Sequence, residues 1–154
     1  MTSSGKLLWI GAAFLAATYA ASAATTEPPD PCSLLSAAEV SRTMSGTYSP
    51  PQSSVAPRPF ANTVQGKDCH YQAMGGQLLF RIYFDPTPEE ATRLFAQLKM
   101  FYSPPKPVSG VGDDAYFDSN HGLHVRKGNV RYFLQGSGSE DRITELAQVV
   151  AKKL

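Results

Sequence analysis

The sequence predicts an α+β fold: a five-stranded antiparallel sheet with helices packed on it, in the order α-β-β-α-β-β-β-α. Three observations carry this expectation. Leu78, Phe80, Ile82 and Phe84 alternate with Leu79, Arg81 and Tyr83, the period of two of a half-buried strand. Gly75-Gly76 and Gly128-Asn129 each separate two such runs, the signature of hairpins and therefore of antiparallel pairing. Ala91, Leu94, Phe95, Leu98 and Phe101 recur at helical spacing, as do Ile143, Leu146, Ala147, Val150 and Leu154. At 154 residues the chain has room for one domain of ordinary size.

In chain order, the first element is a leader. Lys6, an apolar run from Leu7 to about Ala20 and small residues through Ala24 form the pattern of a secretory signal peptide, assigned to residues 1–23. Ala21-Ser22-Ala23 fits an A-x-A cleavage site and Ser22-Ala23-Ala24 fits nearly as well, so cutting falls after Ala23 or Ala24. The alternative is an uncleaved anchor, because the apolar run approaches the lower limit of a membrane span. Ala and Gly dilute that run, however, and its flank is small rather than basic. The expected location is periplasmic or secreted, with no stable membrane span once the leader is gone.

Residues 24–67 hold a Pro-rich lead-in, a helix and a long loop. Ser36-Ala37-Ala38-Glu39 is a capping box, with Leu35 and Val40 placed as a hydrophobic staple, and it predicts a helix from about Ala37 to Met44. Gly46 suits the left-handed position that ends it. From Thr47 to Lys67, Pro50, Pro51, Pro57 and Pro59 interrupt a stretch with neither period, which reads as a loop rather than a polyproline ligand. Cys32 and Cys69 are an even count in a chain bound for an oxidising compartment, which points to a bridge.

Residues 68–154 form the α+β core of the same domain. A two-residue turn at Gly75-Gly76 pairs Met74 with Gln77, setting Tyr71 opposite Phe80 and Cys69 opposite Ile82. On the other face it sets His70 against Arg81 and Gln72 against Leu79. Thr87-Pro88-Glu89-Glu90 is a second capping box with Pro at the first helical position, and Pro104-Pro105 stops the helix it opens. After a linker to Asp114, three strands are expected at about Ala115 to Asp118, Leu123 to Lys127 and Val130 to Gln135. Ser139 or Ser137 then caps the closing helix, whose Lys152 and Lys153 suit its negative end.

A hairpin, a helix, a three-stranded meander and a final helix resemble the PsbP-like fold, an antiparallel sheet sandwiched by helices. Asp30-Pro31-Cys32-Ser33-Leu34-Leu35, Cys69-His70-Tyr71 and Gly110-Val111-Gly112-Asp113-Asp114-Ala115-Tyr116 resemble an uncharacterised family of small exported cell-envelope proteins, many of them lipoproteins. The resemblance implies a disulfide between the paired cysteines and a tight turn into the meander, but no reaction. This chain departs from the lipoprotein members, because Pro29-Asp30-Pro31 puts bulky residues where lipid attachment at Cys32 needs small ones.

The chemistry is bounded by charge. With 14 Lys+Arg against 13 Asp+Glu, and Lys6 lost with the leader, the mature chain is neutral, which excludes a polybasic nucleic-acid binder. Gly110-Val111-Gly112 lacks the preceding strand, following helix and third Gly of a dinucleotide fingerprint. His121 and His124, with Asp113, Asp114 and Asp118 nearby, have no spacing that forces convergence on a metal. The G-x-S-x-G elbow of hydrolases is absent from the sequence. No catalytic residue, metal ligand or cofactor is assigned.

The strand faces are more informative. Opposite the apolar face, the expected registers collect His70, Arg81 and Tyr83 from the first hairpin and His124, Arg126, Arg131 and Phe133 from the meander. Arg forks and aromatic faces bind carboxylates, phosphates or sugars. If the face is open, it binds an anion more tightly as its His residues protonate near pH 6; if acidic residues of a helix neutralise it, it is structural. The expected function is a non-enzymatic accessory or binding module of the cell envelope, whose partner is an envelope protein or a small anionic ligand. The alternatives are a small exported hydrolase and a periplasmic metal-binding protein.

Overall fold

The computed structural model describes residues 29–102 and 104–154; the leader and its cleavage site lie outside them. The coarse class is as expected, α+β with an antiparallel sheet, but the sheet has seven strands and there are four described helices. In chain order these are α1 (Pro31–Leu34), α2 (Ala37–Met44), β1 (Gln52–Ala56), β2 (Gly66–Ala73), β3 (Gly76–Phe84) and α3 (Pro88–Phe101). Then come β4 (Lys106–Pro107), β5 (Asp114–Phe117), β6 (Leu123–Lys127), β7 (Val130–Gly136) and α4 (Glu140–Lys153). The spatial order is β1-β2-β3-β7-β6-β5-β4.

The elements missed by sequence lie at the edges. β1 falls inside the stretch read as a loop, where four of its five residues are exposed, so no alternation marks it. β4 is two residues at the other edge, where a Pro is tolerated because one side of the strand needs no partner. α1 is a single turn within the lead-in, its start capped by the Asp30 carboxylate accepting from Cys32 N at 3.0 Å.

Local chemistry explains the other helix ends. In α2 the capping box forms reciprocally: Ser36 Oγ accepts from Glu39 N at 3.2 Å and Glu39 Oε2 accepts from Ser36 N at 2.8 Å. Ser45, with φ 56°, takes the left-handed terminal position expected of Gly46. In α3, Thr87 Oγ1 accepts from Glu90 N at 3.1 Å, while the Glu90 carboxylate takes the Arg93 guanidinium at 2.6 and 2.9 Å. α4 begins after Ser139, which makes no side-chain cap; Ser137 Oγ instead accepts from Gln77 N at 3.1 Å. Lys153 donates to Leu34 O at 2.8 Å and Glu39 Oε1 at 2.7 Å, fastening α4 to the α1–α2 corner.

The first hairpin turns one residue earlier than expected, on Met74-Gly75. Only Gly75 is left-handed there, with φ 85°, and a turn with positive φ at its second position takes Gly at that place. The pairs are therefore Tyr71 with Leu78, Cys69 with Phe80, Asp68 with Arg81, His70 with Leu79 and Gln72 with Gln77. Each residue moves two places against its partner, so every side chain keeps its face.

One face carries the main core. Tyr71, Leu78, Phe80, Ile82, Tyr132 and Leu134 pack with Val40 of α2 and with Ile143, Leu146 and Val150 of α4. The Cys32–Cys69 disulfide, with Cα atoms 5.3 Å apart, ties α1 to β2 on this side. The opposite face is covered by α3, which buries Ala91, Leu94 and Phe95, and in part by the segment after β1; Phe101, expected in the apolar stripe of α3, is 74% exposed. Within the described residues, no helix is long and apolar enough to cross a membrane.

Candidate functional site

The registers lay one row of side chains straight across the α3 face. Asp68 pairs with Arg81, Arg81 with Phe133, Phe133 with His124, and His124 with Tyr116. In the next row toward the strand ends, Tyr83 pairs with Arg131 and Arg131 with Arg126. Arg81, Tyr83, His124, Arg126, Arg131, Phe133 and His70 therefore share one sheet face.

Most of these charges are satisfied within the chain. Asp68 grips Arg81 bidentately at 2.7 and 2.8 Å, and Asp85 grips the buried Arg131 at 2.5 and 2.9 Å. Asp113 takes Arg126 Nη1 at 3.0 Å, and Asp118 takes His124 Nε2 at 3.0 Å. None of the four carboxylates comes from a helix; they sit on β2 or in the loops that flank strands. Arg131 also lies over the Tyr83 ring, 5.0 Å from its centroid. His70, half-exposed, meets Ser54 Oγ at 3.1 Å.

His124 departs from the expected protonation near pH 6. Burial pushes its pKa below the ordinary 6.5, and the Asp118 carboxylate opposes that shift without overcoming it. The neutral ring stacks on Tyr116 (4.8 Å) and contacts Tyr102 (5.0 Å) and Phe133 (4.7 Å). Burial likewise raises Tyr83 above its usual value, and the hydrogen bonds that Arg81 donates to Asp68 raise Arg81.

Over this row lies a cleft of about 540 Å³. Its floor is Arg81, Tyr83, His124 and Phe133. One wall is the segment after β1, with Arg58 and Phe60; the other is the end of α3, with Leu98, Phe101 and Tyr102. The Phe60 and Phe101 rings approach to 6.0 Å. Tyr83 OH donates to Pro57 O at 2.7 Å and Thr63 Oγ1 to Phe60 O at 2.8 Å, which holds the first wall in place. Gly66 is required there, since a Cβ would stand 2.5 Å from the Tyr83 ring. Arg58 donates to Gln65 at 3.3 Å and is the one cleft cation without a carboxylate partner among the described residues.

Four of the seven candidate surface residues thus line the cleft, whereas His70, Arg126 and Arg131 do not. His70 borders an adjoining groove of about 630 Å³, with Gln72, Gln77, Leu79, Asn120 and Gln135. The sequence reading missed Arg58, Phe60 and Tyr102, because nothing local says that two distant segments meet over the sheet. Asp68 was within its reach: strand parity puts it on the face of His70 and Arg81.

The geometry bears on the other chemistries. His121 is exposed and faces Glu140 at 3.0 Å, so it does not share ligands with His124. Among the described residues, no three His, Cys, Asp or Glu side chains are grouped to hold a metal. Nor does a serine among them line the cleft beside the His124–Asp118 pair. Comparison of the chain with protein-family models, curated proteins and solved structures finds no match.

Proposed function

We propose that this chain is an exported, non-enzymatic binding module of the cell envelope, whose ligand occupies the cleft between α3 and the segment after β1. The observation that carries the reading is the cleft itself, a concave surface lined by aromatic side chains with a few fixed polar groups, the usual composition of a ligand pocket. Its arginine and histidine are held by Asp68 and Asp118, so the floor is rigid before a ligand arrives. Such preorganisation favours binding because little side-chain entropy remains to be lost.

The reading for the compartment rests on the leader and on a disulfide, which persists in oxidising surroundings. The likeness to PsbP-like proteins and to small exported envelope proteins supports an accessory role rather than a reaction. The expectation of a small anionic ligand narrows to one charge: with Arg81, Arg126 and Arg131 each paired to a carboxylate, Arg58 is the one cleft cation without a carboxylate partner among the described residues.

Thermal-shift screening of residues 24–154, disulfide intact, against peptides, short glycans and aliphatic acids tests the reading. A stabilising compound should lose its effect in Phe133→Ala. Stabilisation that survives this change, or no stabilisation by any class, contradicts it.

A further inference from the structure

We infer that the ligand is a linear oligosaccharide carrying an acidic group, which runs from the aromatic cleft onto the amide-rich groove beside it. This rests on the cleft being the binding site. The inference starts from adjacency. Arg81 and Phe133 are cross-strand partners, and two residues along the same strands, on the same face, Leu79 pairs with Gln135 and His70 with Leu79. The rows are about 7 Å apart, which sets the cleft and the groove side by side on one sheet face, with the turn of Asn120 and Gly122 against Gln135 and Phe133 at their border.

The cleft and the groove offer complementary chemistry. In the cleft, Phe60, Tyr102 and Phe133 are half-buried and line the walls and floor. A pyranose has an apolar C–H face that lies against such a ring, with hydroxyls round its rim. In the groove, Gln72 and Gln77 face each other across β2 and β3, both exposed. Their amides make no side-chain hydrogen bond among the described residues, and each can donate and accept at once, which suits a hydroxyl that does both. Gln135 gives Nε2 to Asn120 O at 3.1 Å and keeps its carbonyl oxygen for the groove.

Charge narrows the class. Arg81, the arginine on the floor, is already paired, so a polyanion finds no matching field, while Arg58 leaves one guanidinium fork for one carboxylate. An apolar acid would match the cleft but leave the Gln row unused. An extended peptide would gain most at the free backbone edge of β1, whereas the cleft and the groove lie on the sheet face, inward of that edge.

The test is titration of residues 24–154 by calorimetry with uronic acid-containing oligosaccharides, neutral oligosaccharides of the same length, an acidic peptide and a fatty acid. An acidic tetrasaccharide should bind, and Phe133→Ala should weaken it about tenfold or more. Arg58→Gln should weaken the acidic sugar several-fold more than the neutral one, erasing the preference for the acidic sugar. Gln72→Ala with Gln77→Ala should reduce the tetrasaccharide to the affinity of a disaccharide. Arg58, Gln72 and Gln77 are exposed, so folding survives their loss, and a thermal melt verifies it for Phe133→Ala. If peptide or fatty acid binds in the cleft and no sugar does, the oligosaccharide is wrong and the binding module stands. If nothing binds in the cleft, both fall.

Discussion

Arg81 and Phe133 are directly opposed on β3 and β7, and Asp68 on β2 clamps the Arg81 guanidinium from the other side at 2.7 and 2.8 Å. The consequence is a cleft floor whose charge is fixed and whose Phe133 ring is half-buried, packed on one side against His124. Asp68 is 5% exposed, while Arg81 is 24% exposed and reaches solvent. Asp68→Ala should therefore cost about 1–3 kcal/mol, less than the loss of a fully buried partner, because water can repair the freed guanidinium in part. Urea unfolding measures this.

The Asp85–Arg131 pair should behave more severely. Both side chains are sealed from water, so Asp85→Ala leaves a buried cation and should cost about 3–5 kcal/mol. Replacing both with apolar residues, Asp85→Leu with Arg131→Met, should recover most of that loss. A double-mutant cycle by denaturant unfolding reads the difference, and a double variant no more stable than Asp85→Ala would contradict the assignment.

His124 makes stability depend on pH. Burial lowers its folded pKa below the unfolded value near 6.5, so the unfolded chain binds the extra proton. The stabilisation is complete above pH 6.5 and is lost as pH falls from there through the folded pKa. Melting temperatures between pH 7.5 and 5 should decline, and His124→Phe should flatten that part of the curve. Glu39 acts lower down: Lys153 and the cap hold it at about 2 against an ordinary 4.5, so its contribution fades as pH drops below 4.5. Glu39→Gln should reduce that second slope, to which Glu90 and Glu140, also lowered by hydrogen bonds from Arg93 and from Lys106, contribute the rest, and leave the first slope in place.

Removing the disulfide should destabilise the chain by about 2–4 kcal/mol. α1 should loosen first, since it is a single turn that loses its covalent tie to β2 and keeps only the Lys153 and Tyr71 hydrogen bonds and the burial of Leu34 and Leu35 at its end. β1 should stay protected, because a ladder from Gln52–His70 to Ala56–Gly66 holds it independently of the bridge. Hydrogen exchange on the reduced protein distinguishes the two, and early exchange across 52–56 would contradict this division.

What could be read in advance was whatever depends on parity and local chemistry. The faces of Arg81, Tyr83, His124 and Phe133 follow from alternation, and the start of α2 from Ser36 and Glu39. The turn at Met74-Gly75 was placed one residue late because both glycines satisfy a turn signal, and only backbone geometry selects Gly75. β1 escaped because Gln52, Ser53 and Ser54 are polar on both faces at an edge that buries little. The walls of the cleft escaped for a different reason: Arg58, Phe60 and Tyr102 come together through tertiary packing, which no local period encodes.

The central claim, that the α3 face of the sheet is a ligand site while the α4 face is closed core, is tested most directly by aromatic-ring NMR during titration with an acidic oligosaccharide. Phe133 and Tyr102 line the cleft, whereas Phe80 and Tyr132 are sealed in the core on the α4 side, line neither the cleft nor the groove, and serve as an internal control. The account predicts that the Phe133 and Tyr102 ring signals shift in a saturable way while those of Phe80 and Tyr132 stay in place. Shifts of Phe80 and Tyr132 with Phe133 and Tyr102 unmoved would contradict it, as would four unmoved signals across that ligand and the wider panel.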